Sequence, residues 1–454
     1  MTQFLQKINA LVWGAPTLVL ILGTGLWLTA RLGFSQFRLL PRALRRFFGM
    51  LKPGKNQPGT VSPFQALCTA LAATVGIGNL AGVAGAIAIG GPGAIFWMWV
   101  CALLGMATKF AEATLAVRFR QKNAQGEWVG GPMYVIRSGM GSRWRWLAGC
   151  YSFFGVVAAF GVGNATQINA VVSGINGVLV TLGGEETFRG NLVMGLLLGA
   201  LLLGMLLGGL SRISRVAQFL VPFASAGYLL LGLGVLILRW NALDDAFLAI
   251  FQGAFSPKAV TGGAIGSAFA ALRIGVSRGV FTNEAGMGTA SIAHAAAQVE
   301  HPAQQGLMGI MEVFLDTLVI CTVTALVILV SGAPISYGED AGALLTSQAF
   351  SRVYGDWVQF FLAGALCCFA IATVLGWGLY GIRCAQYLFG AEVWKRFALL
   401  QAAAVVLGAV LKTQTVWLLS ETVNGLMAIP NLLALLMLTP ELKRLTKEYR
   451  NHSQ

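Results

Sequence analysis

Long apolar stretches recur along the whole chain, and only short polar stretches separate them. A helix needs about 20 apolar residues to cross a bilayer core about 30 Å thick. Eleven windows meet or nearly meet this length, so the pattern predicts eleven membrane-spanning helices, which we number segments 1 to 11. The windows are 10–30, 66–90, 94–116, 146–180, 190–209, 216–238, 260–297, 307–331, 356–381, 397–411 and 414–439.

Composition supports this interpretation. Hydrophobic residues make up 56% of the 454 residues and charged residues only 11%, whereas soluble domains carry about 25% charged residues. The apolar runs are too uniform for the alternating strands of a membrane β-barrel. We therefore expect an all-α polytopic protein whose main partner is the lipid bilayer.

The net charge of +14 could suggest nucleic-acid binding, but the distribution of Lys and Arg argues against it. The basic residues concentrate in alternate loops, above all in residues 31–58 and 118–145. Loops rich in Lys and Arg stay on the cytoplasmic side of a membrane. The pattern therefore predicts a bacterial inner or plasma membrane protein with its N-terminus outside and its C-terminus in the cytoplasm.

Segment 1 has the position of a signal peptide but not its pattern. Its apolar run from Ala10 to Ala30 is too long for the hydrophobic region of such a peptide, and no small-residue cleavage site precedes Arg31. We expect segment 1 to be a retained helix.

The sequence contains no pattern typical of an enzyme or of a nucleotide-driven pump. It has no GxxxxGK[ST] phosphate loop, no nucleophile elbow and no His/Cys metal spacing. The seven cysteines lie within or at the edge of apolar segments, which favours buried thiols over disulfides. We expect a protein that is not an enzyme, binds no nucleotide and draws on an existing gradient; its oligomeric state is open.

Segments 2 and 7 differ from the others because glycine and polar residues interrupt them. Segment 2 carries Gly76, Gly78 and Asn79 at mid-membrane depth, and segment 7 carries Arg278 and Glu284 among several glycines. Glycine weakens a helix, and irregular backbone survives at this depth only where protein or a cavity satisfies its polar groups. Both helices are therefore predicted to be broken, over residues 74–79 and 275–283.

The spacing of the two interrupted segments predicts an internal repeat. Segments 2–6 and 7–11 form two five-helix halves, and an odd number of crossings inverts one half relative to the other. Broken first helices in two inverted halves are typical of a secondary transporter with a midplane binding site. The predicted organisation is a single transporter domain over 1–454. Its parts are the extra helix with the basic loop (1–58), the two repeats (59–239 and 240–439) and the tail (440–454).

Several polar residues are candidates for the binding site. Freed NH groups at a half-helix N-terminus attract an anion, and freed carbonyls bind a cation. Gln167 of segment 4, one turn from Asn164, is either a ligand contact or an interhelical bond. Trp377 of segment 9 lies between Gly376 and Gly378, which we expect to clear room for its ring, so it either walls a pocket or packs. The Thr373 hydroxyl is a candidate oxygen for a hard cation.

Ionisable residues inside the segments are functional candidates by default. Arg278 and Glu284 are expected to form an ion pair or a gate. Glu112 and Lys109 are expected to pair near the cytoplasmic interface with their charges extended towards water. Asp316 is either a ligand of the coupling ion or a member of a gating pair.

The rival from another class is an ion channel. A channel needs a continuous polar stripe or a charged ring along its pore, and the charges inside these segments do not repeat at helical spacing. A carrier is therefore favoured. Whether Na⁺ or H⁺ drives it stays open from the residues alone.

At these same residues the sequence resembles the alanine or glycine:cation symporter family, also called sodium:alanine symporters. The matching stretches cover nearly the whole chain and together are specific. Thr282 and Thr289 stand where family members typically have Ser, which keeps the hydroxyl. The stretches are Gly76–Gly82, Gly90–Trp99, Gly130–Tyr134 and Arg278–Gly288.

The resemblance implies a leucine-transporter-like fold with one extra N-terminal helix, and symport of alanine and glycine with Na⁺. It implies that Ala72, Val75 and Thr373 supply oxygens to the sodium ion. The substrate would lie against residues of segments 2, 4, 7 and 9. By the family match these are Thr74, Gly76, Ile77, Gly78, Asn79, Gln167, Gly275, Gly279, Phe281 and Trp377.

Overall fold

The computed structural model describes residues 2–51, 61–263, 267–339, 342–411 and 414–451. Lys52 and Lys55 of the basic loop, residues 264–266 of segment 7 and the end of the tail lie outside the described residues. Within them the chain is nearly all helical, as the apolar pattern predicts. A short antiparallel hairpin, Gln121–Lys122 with Trp128–Val129, is an addition that the pattern does not predict.

Each predicted segment has a helical counterpart. Segment 2 consists of Pro63–Thr74 and Gly78–Gly90, which meet at 53°, and segment 7 consists of Ala268–Asn283 and Ala290–His294. Nine other helices of the described chain are long and apolar enough to span a membrane and correspond to segments 1, 3–6 and 8–11. They are Phe4–Arg31, Gly93–Arg118, Ser142–Val180, Phe188–Leu206, Gly209–Leu238, Pro302–Val330, Val358–Phe389, Ala391–Val410 and Leu418–Met437.

Shorter elements subdivide or connect these spans. Three π-helical stretches lie in segments 2, 4 and 8, where such turns often mark functional sites. They are Gly78–Gly82, Gly161–Ala165 and Phe314–Cys321. The remaining short helices are Ser35–Met50, Pro132–Val135, Ile136–Met140, Ser142–Trp144, Trp240–Ala242, Leu243–Phe255, Pro257–Thr261, Gly342–Tyr354, Ala391–Val393 and Thr439–Asn451.

Segment 2 breaks where its sequence predicts. A capping box between Ser62 and Gln65 starts the first helix, with Pro63 in its first turn. The helix ends at Thr74, because Val75 turns to an extended backbone with ψ of 97°. The chain resumes as a helix through a π-helical stretch that begins at Gly78. The predicted break over 74–79 is confirmed.

Segment 7 breaks later than predicted. Residues 275–283 belong to an intact helix, and the helix ends only at Asn283. Glu284, Gly286 and Gly288 then adopt positive φ angles of 54°, 96° and 76°, a conformation that glycine tolerates best. The break therefore covers 284–289, and the prediction of 275–283 is wrong.

The broken helices lie inside the bundle. In segments 3, 8 and 11, 67% of the apolar window is buried, against 22% in segment 5 and 28% in segment 6. Segments 5 and 6 instead expose large apolar side chains such as Leu197 and Phe219, as expected of a lipid-facing surface. Segments 2 and 7 pack among segments 3, 8 and 9, which shield their irregular backbone from lipid.

Candidate functional site

The break in segment 2 lies against segments 4 and 9. A Cβ added at Gly76 would lie 2.6 Å from the Thr373 hydroxyl oxygen and 3.4 Å from Gln167 Oε1. Only a residue without a side chain lets the backbone come this close. Three predicted site residues therefore converge at this point.

Asn79 holds the shape of the break. Its side chain is fully buried, and its Oδ1 accepts a hydrogen bond of 2.9 Å from the Gly76 NH. Its Nδ2 donates to Asp316 Oδ1 of segment 8 at 2.6 Å. Both ends of the amide therefore have protein partners, which connect the break in segment 2 to segment 8.

Asp316 and Thr317 connect the two breaks. The Thr317 hydroxyl donates to Asp316 Oδ2 at 2.8 Å and accepts from Asn283 Nδ2 of segment 7 at 3.1 Å. Asn283 Oδ1 in turn accepts from the Ala285 NH at 2.9 Å, inside the second break. With the bond from Asn79, an unbroken hydrogen-bond chain runs from Gly76 to Ala285 through segment 8.

Gln167 and Asn164 have different surroundings. Asn164 Nδ2 donates to the backbone oxygen of Gln401 at 2.9 Å and also bonds its side chain, so Asn164 makes an interhelical contact. Gln167 Nε2 donates to the Val162 oxygen at 3.1 Å. Its Oε1 is buried and has no partner among the described residues, which leaves an acceptor directed at the break beside Gly76.

Trp377 is buried, with 1% of its surface exposed. The residue that makes room for it is Gly163 of segment 4, where a Cβ would lie 2.2 Å from Trp377 Cβ. The flanking glycines instead contact other residues. Ala73 packs against Gly376, and Leu206 packs against Gly378. The prediction that these two clear room for the ring is therefore wrong.

A cavity of about 790 Å³ reaches the site from one end of the bundle. Its walls include the end of segment 4, the start of segment 11 and residues 342–347, all at the end opposite to the basic loops. Ile77 and Phe281 line its inner part, and a Cβ on Gly78 would lie 3.4 Å from the Phe281 ring. Asn79, Gln167 and Trp377 do not line this cavity.

The predicted ion pair between Arg278 and Glu284 is wrong. Arg278 Nη1 instead lies 3.1 Å from Glu421 Oε1 of segment 11, and both side chains line the cavity. Glu284 is buried and accepts a short hydrogen bond from the Thr289 hydroxyl. The two residues separate because the helix continues through Arg278 and reverses only at Glu284.

The predicted interfacial pair of Lys109 and Glu112 is also wrong, because both side chains are buried, with 1% and 2% exposed. Lys109 Nζ lies 2.8 Å from Glu312 Oε1 of segment 8. Glu112 Oε1 accepts from the NH groups of Gly286 and Gly288 at 2.9 and 3.1 Å. Glu112 of segment 3 therefore contacts the second break inside the protein and does not extend towards water.

Two other predicted residues face away from the site, and a third, Thr74, directs its hydroxyl to its own helix. Gly275 and Gly279 contact segment 3, where Cβ atoms would lie 2.3 Å from the Ala94 oxygen and 3.3 Å from Cys101 Cβ. Their small size allows helix packing and does not shape a pocket. The Thr74 hydroxyl bonds the Ala70 oxygen of its own helix at 3.3 Å.

Sequence reasoning missed two residues of segment 11, one that contacts the second break and one that lies in the cavity wall. Asn431 of segment 11 donates to Glu112 Oε1 at 2.8 Å and to the Gly286 oxygen at 2.9 Å. Glu421, on the same segment, pairs with Arg278. Both are polar residues within an apolar span, which is a signal the sequence offers, but neither lies near a glycine motif.

Comparisons with known proteins agree with this architecture. The family model described as the sodium:alanine symporter family matches residues 1–454. An "Uncharacterized transporter" of Haemophilus influenzae is 45% identical over 98% of this chain and 96% of its own length. The "Sodium/alanine symporter AgcS" of Methanococcus maripaludis is 42% identical over 98% of this chain and 97% of its own.

A solved structure shares the fold. MhsT, solved in complex with L-phenylalanine, superposes with a TM-score of 0.62 over 87% of this chain and 99% of that chain, at 14% identity. It has the leucine-transporter fold. The chain is thus a multi-pass helical membrane protein with two inverted five-helix halves and one extra N-terminal helix.

Proposed function

The chain belongs to the sodium:alanine symporter family, and on that premise we propose that it imports small neutral amino acids such as alanine and glycine together with Na⁺. The observation that carries the proposal is the break at Gly76, which is enclosed between Gln167 and Thr373 and adjoins Ile77 in the wall of a cavity. Backbone groups freed by such a break bind charged parts of a substrate and a cation.

The substrate amino acid has one anionic and one cationic end, and the site offers a group for each. The first NH groups of the second half-helix, at Ile77 and Gly78, have no acceptor within the helix and suit a carboxylate. Gln167 Oε1, buried and without a partner among the described residues, suits the ammonium group. We therefore assign these three residues to the substrate.

The Na⁺ ion is a second cargo, and the oxygens beside the break fit it. Ala72 lies in the last turn of the first half-helix, where carbonyls lose their helical partners. Val75 is extended, and the Thr373 hydroxyl packs against the Gly76 backbone. Carbonyl and hydroxyl oxygens are ligands that hard cations prefer. We assign Ala72, Val75 and Thr373 to Na⁺.

The neighbouring rings support a preference for small substrates. The Phe281 ring lies close to Gly78 on one side of the break. Trp377 fills the space that Gly163 leaves in segment 4. A substrate side chain much larger than a methyl group would have to displace one of these rings, which tightly packed interiors resist.

Transport requires that the site face each side of the membrane in turn. In this structure the cavity opens at the end of the bundle opposite to the basic loops, and those loops are assigned to the cytoplasm. We therefore take the state as outward-facing, with the N-terminus outside. The ion pair of Arg278 with Glu421 bridges segments 7 and 11 in the cavity wall, where it is suited to close the outer entrance.

Uptake of labelled alanine into proteoliposomes tests the proposal. We expect uptake down an inward Na⁺ gradient to collapse when choline replaces Na⁺, because the cation oxygens beside Gly76 then have no ion. Saturable exchange of labelled for unlabelled alanine distinguishes a carrier from a channel. Equal uptake in choline would remove Na⁺ from the proposal.

A further inference from the structure

Six buried ionisable side chains of segments 3, 7 and 8 form a group that we call the acidic cluster. At most 3% of the surface of any of them is exposed, and none lines the cavity. Four are carboxyl groups, one is an amine and one is an imidazole. The members are Glu112, Glu284, Glu312, Asp316, Lys109 and His294.

The bases in the cluster neutralise only one of its four acids. Lys109 pairs with Glu312 at 2.8 Å. His294 Nε2 lies 2.9 Å from Glu312 Oε2, and its Nδ1 lies 2.7 Å from the amide nitrogen of Gln305. Both bases therefore face Glu312, and neither pairs with the other three acids. Arg383, another buried base of the described chain, pairs with Glu127 elsewhere.

Three acids therefore lack a basic partner, and their charges would stay unpaired inside the protein if all of them were ionised. An isolated carboxylate is very costly in a medium without water, so such groups pair, bind a cation or take up a proton. One Na⁺ at the oxygens beside Gly76 would offset at most one charge. The cluster thus requires further positive charge in the state that this structure shows.

Glu112 has the oxygen best placed to receive it. Its Oε1 accepts three donors, from Gly286, Gly288 and Asn431, whereas no described residue donates to its buried Oε2. Both oxygens of Asp316 already accept donors. The other charged or titratable groups that act on Glu112 are Lys109 on its own helix, Glu312 of segment 8 and Tyr151 of segment 4. Glu284 and His294 of segment 7 join the same cluster through Lys109 and Glu312.

The surroundings of Glu112 suit a proton better than a metal ion. Its nearest partners are NH groups, which cannot coordinate a metal ion, whereas a proton needs only the one free oxygen, Oε2. Metal sites need several oxygen, nitrogen or sulfur ligands around one point. No group of three or more His, Cys, Asp or Glu side chains suited to a metal occurs in the part of the chain that the structure describes.

We propose that Glu112 is a proton-binding site and that a proton enters the cell with the amino acid. The O–H bond forms on Oε2 from a proton that external water supplies, which neutralises the carboxylate while the cluster is dry. When the cytoplasmic half opens, water solvates the cluster, the O–H bond breaks and the proton leaves to the cytoplasm. This inference rests on the proposed symport and adds a second coupling ion to it.

The proposal also links the proton to the second break. Glu112 Oε1 holds the NH groups of Gly286 and Gly288, and hydrogen bonds to an ionised carboxylate are roughly twice as strong as neutral ones. Loss of the proton from Glu112 therefore strengthens the hydrogen bonds that hold the unwound residues 284–289 against segment 3. Proton release and the position of segment 7 are coupled through the same oxygen.

Accumulation of labelled alanine in proteoliposomes separates the proton from Na⁺. The wild-type protein is reconstituted with equal Na⁺ on both sides, and K⁺ with valinomycin holds the membrane potential at zero. An inward gradient of one pH unit is then imposed. For one proton per alanine we expect about tenfold accumulation, because a tenfold gradient supplies about 1.4 kcal/mol, and a protonophore should abolish it.

Three outcomes decide the matter. Wild-type protein that accumulates alanine on a Na⁺ gradient but not on the pH gradient overturns the proton site and leaves the proposed symport intact. Failure on both gradients removes the symport itself. Accumulation on both, together with alanine-evoked acidification of a dye inside the vesicles, supports the proposal even if variants fold poorly.

Variants then locate the site. Glu112→Gln should lose accumulation on the pH gradient while some accumulation on a Na⁺ gradient remains. Glu441→Gln is the matched control, since Glu441 pairs with Arg118 and Arg444 on the tail helix, and it should behave as wild type on both gradients. A Glu112→Gln variant that still follows the pH gradient would rule out Glu112.

Discussion

A methyl group added at Gly76 would lie 2.6 Å from the Thr373 hydroxyl oxygen, closer than real side chains approach. The Thr373 hydroxyl also donates to the Phe369 oxygen at 3.0 Å, so it has little freedom to move aside. The backbone can therefore approach Thr373 at the proposed substrate and ion sites only because Gly76 has no Cβ atom.

We therefore expect Gly76→Ala to reduce Na⁺-driven alanine uptake more than tenfold, because overpacking costs about 1–3 kcal/mol at the groups assigned to both cargoes. Gly364→Ala is the matched control, since Gly364 lies on segment 9 with nothing within 4 Å of its added Cβ. The two variants are compared in the proteoliposome uptake assay at equal protein content. Equal uptake by both would contradict a close approach at Gly76.

At the same scale, sequence reasoning identified polar residues better than it identified their partners. Glu112, Arg278 and Asp316 stand out in apolar spans, and each makes buried or partly buried polar contacts. The partners of Arg278 and Glu112, however, come from segments far apart in the chain. Spacing along one helix predicts neighbours on that helix, so it could not reveal Glu421 or Asn431.

The two broken helices differ in how well the sequence predicts them. In segment 2 the glycines and Asn79 lie in the break itself, so the pattern located it. In segment 7 Gly275 and Gly279 serve contact with segment 3, whereas Gly286 and Gly288 serve positive φ angles. Glycine has both uses, and the sequence alone does not tell which use a given glycine has.

The hydrogen-bond chain through segment 8 makes a prediction about these elements. Thr317→Val keeps the shape of the side chain but removes the hydroxyl between Asn283 and Asp316. An unpartnered buried polar group costs about 1–3 kcal/mol, so we expect alanine uptake to fall by about fivefold or more. The measurement is the initial rate of Na⁺-driven uptake.

Thr24→Val is the control for this change. Thr24 is buried in segment 1, and its hydroxyl has no partner among the described residues. Its loss should leave the uptake rate close to that of wild type. If Thr317→Val transports as well as Thr24→Val, the two breaks are not coupled through segment 8.

For the whole molecule, the apolar windows and the position of the interrupted segments were enough to predict the architecture. The number of residues needed to cross a bilayer limits the possible spans, and two interrupted helices five crossings apart indicate inverted halves. The cavity and the acidic cluster could not be predicted, because both form where segments distant in sequence pack together.

The account depends on one claim, that the backbone opened at Gly76 binds an amino acid and Na⁺ side by side. Two cargoes held in adjoining positions must raise each other's affinity by the same factor, typically 5–150-fold. The most direct test is equilibrium binding of labelled alanine to the purified protein in Na⁺ and in choline at equal ionic strength. We predict a Kd lower in Na⁺ by about that factor, and the same Kd in both salts would contradict the account.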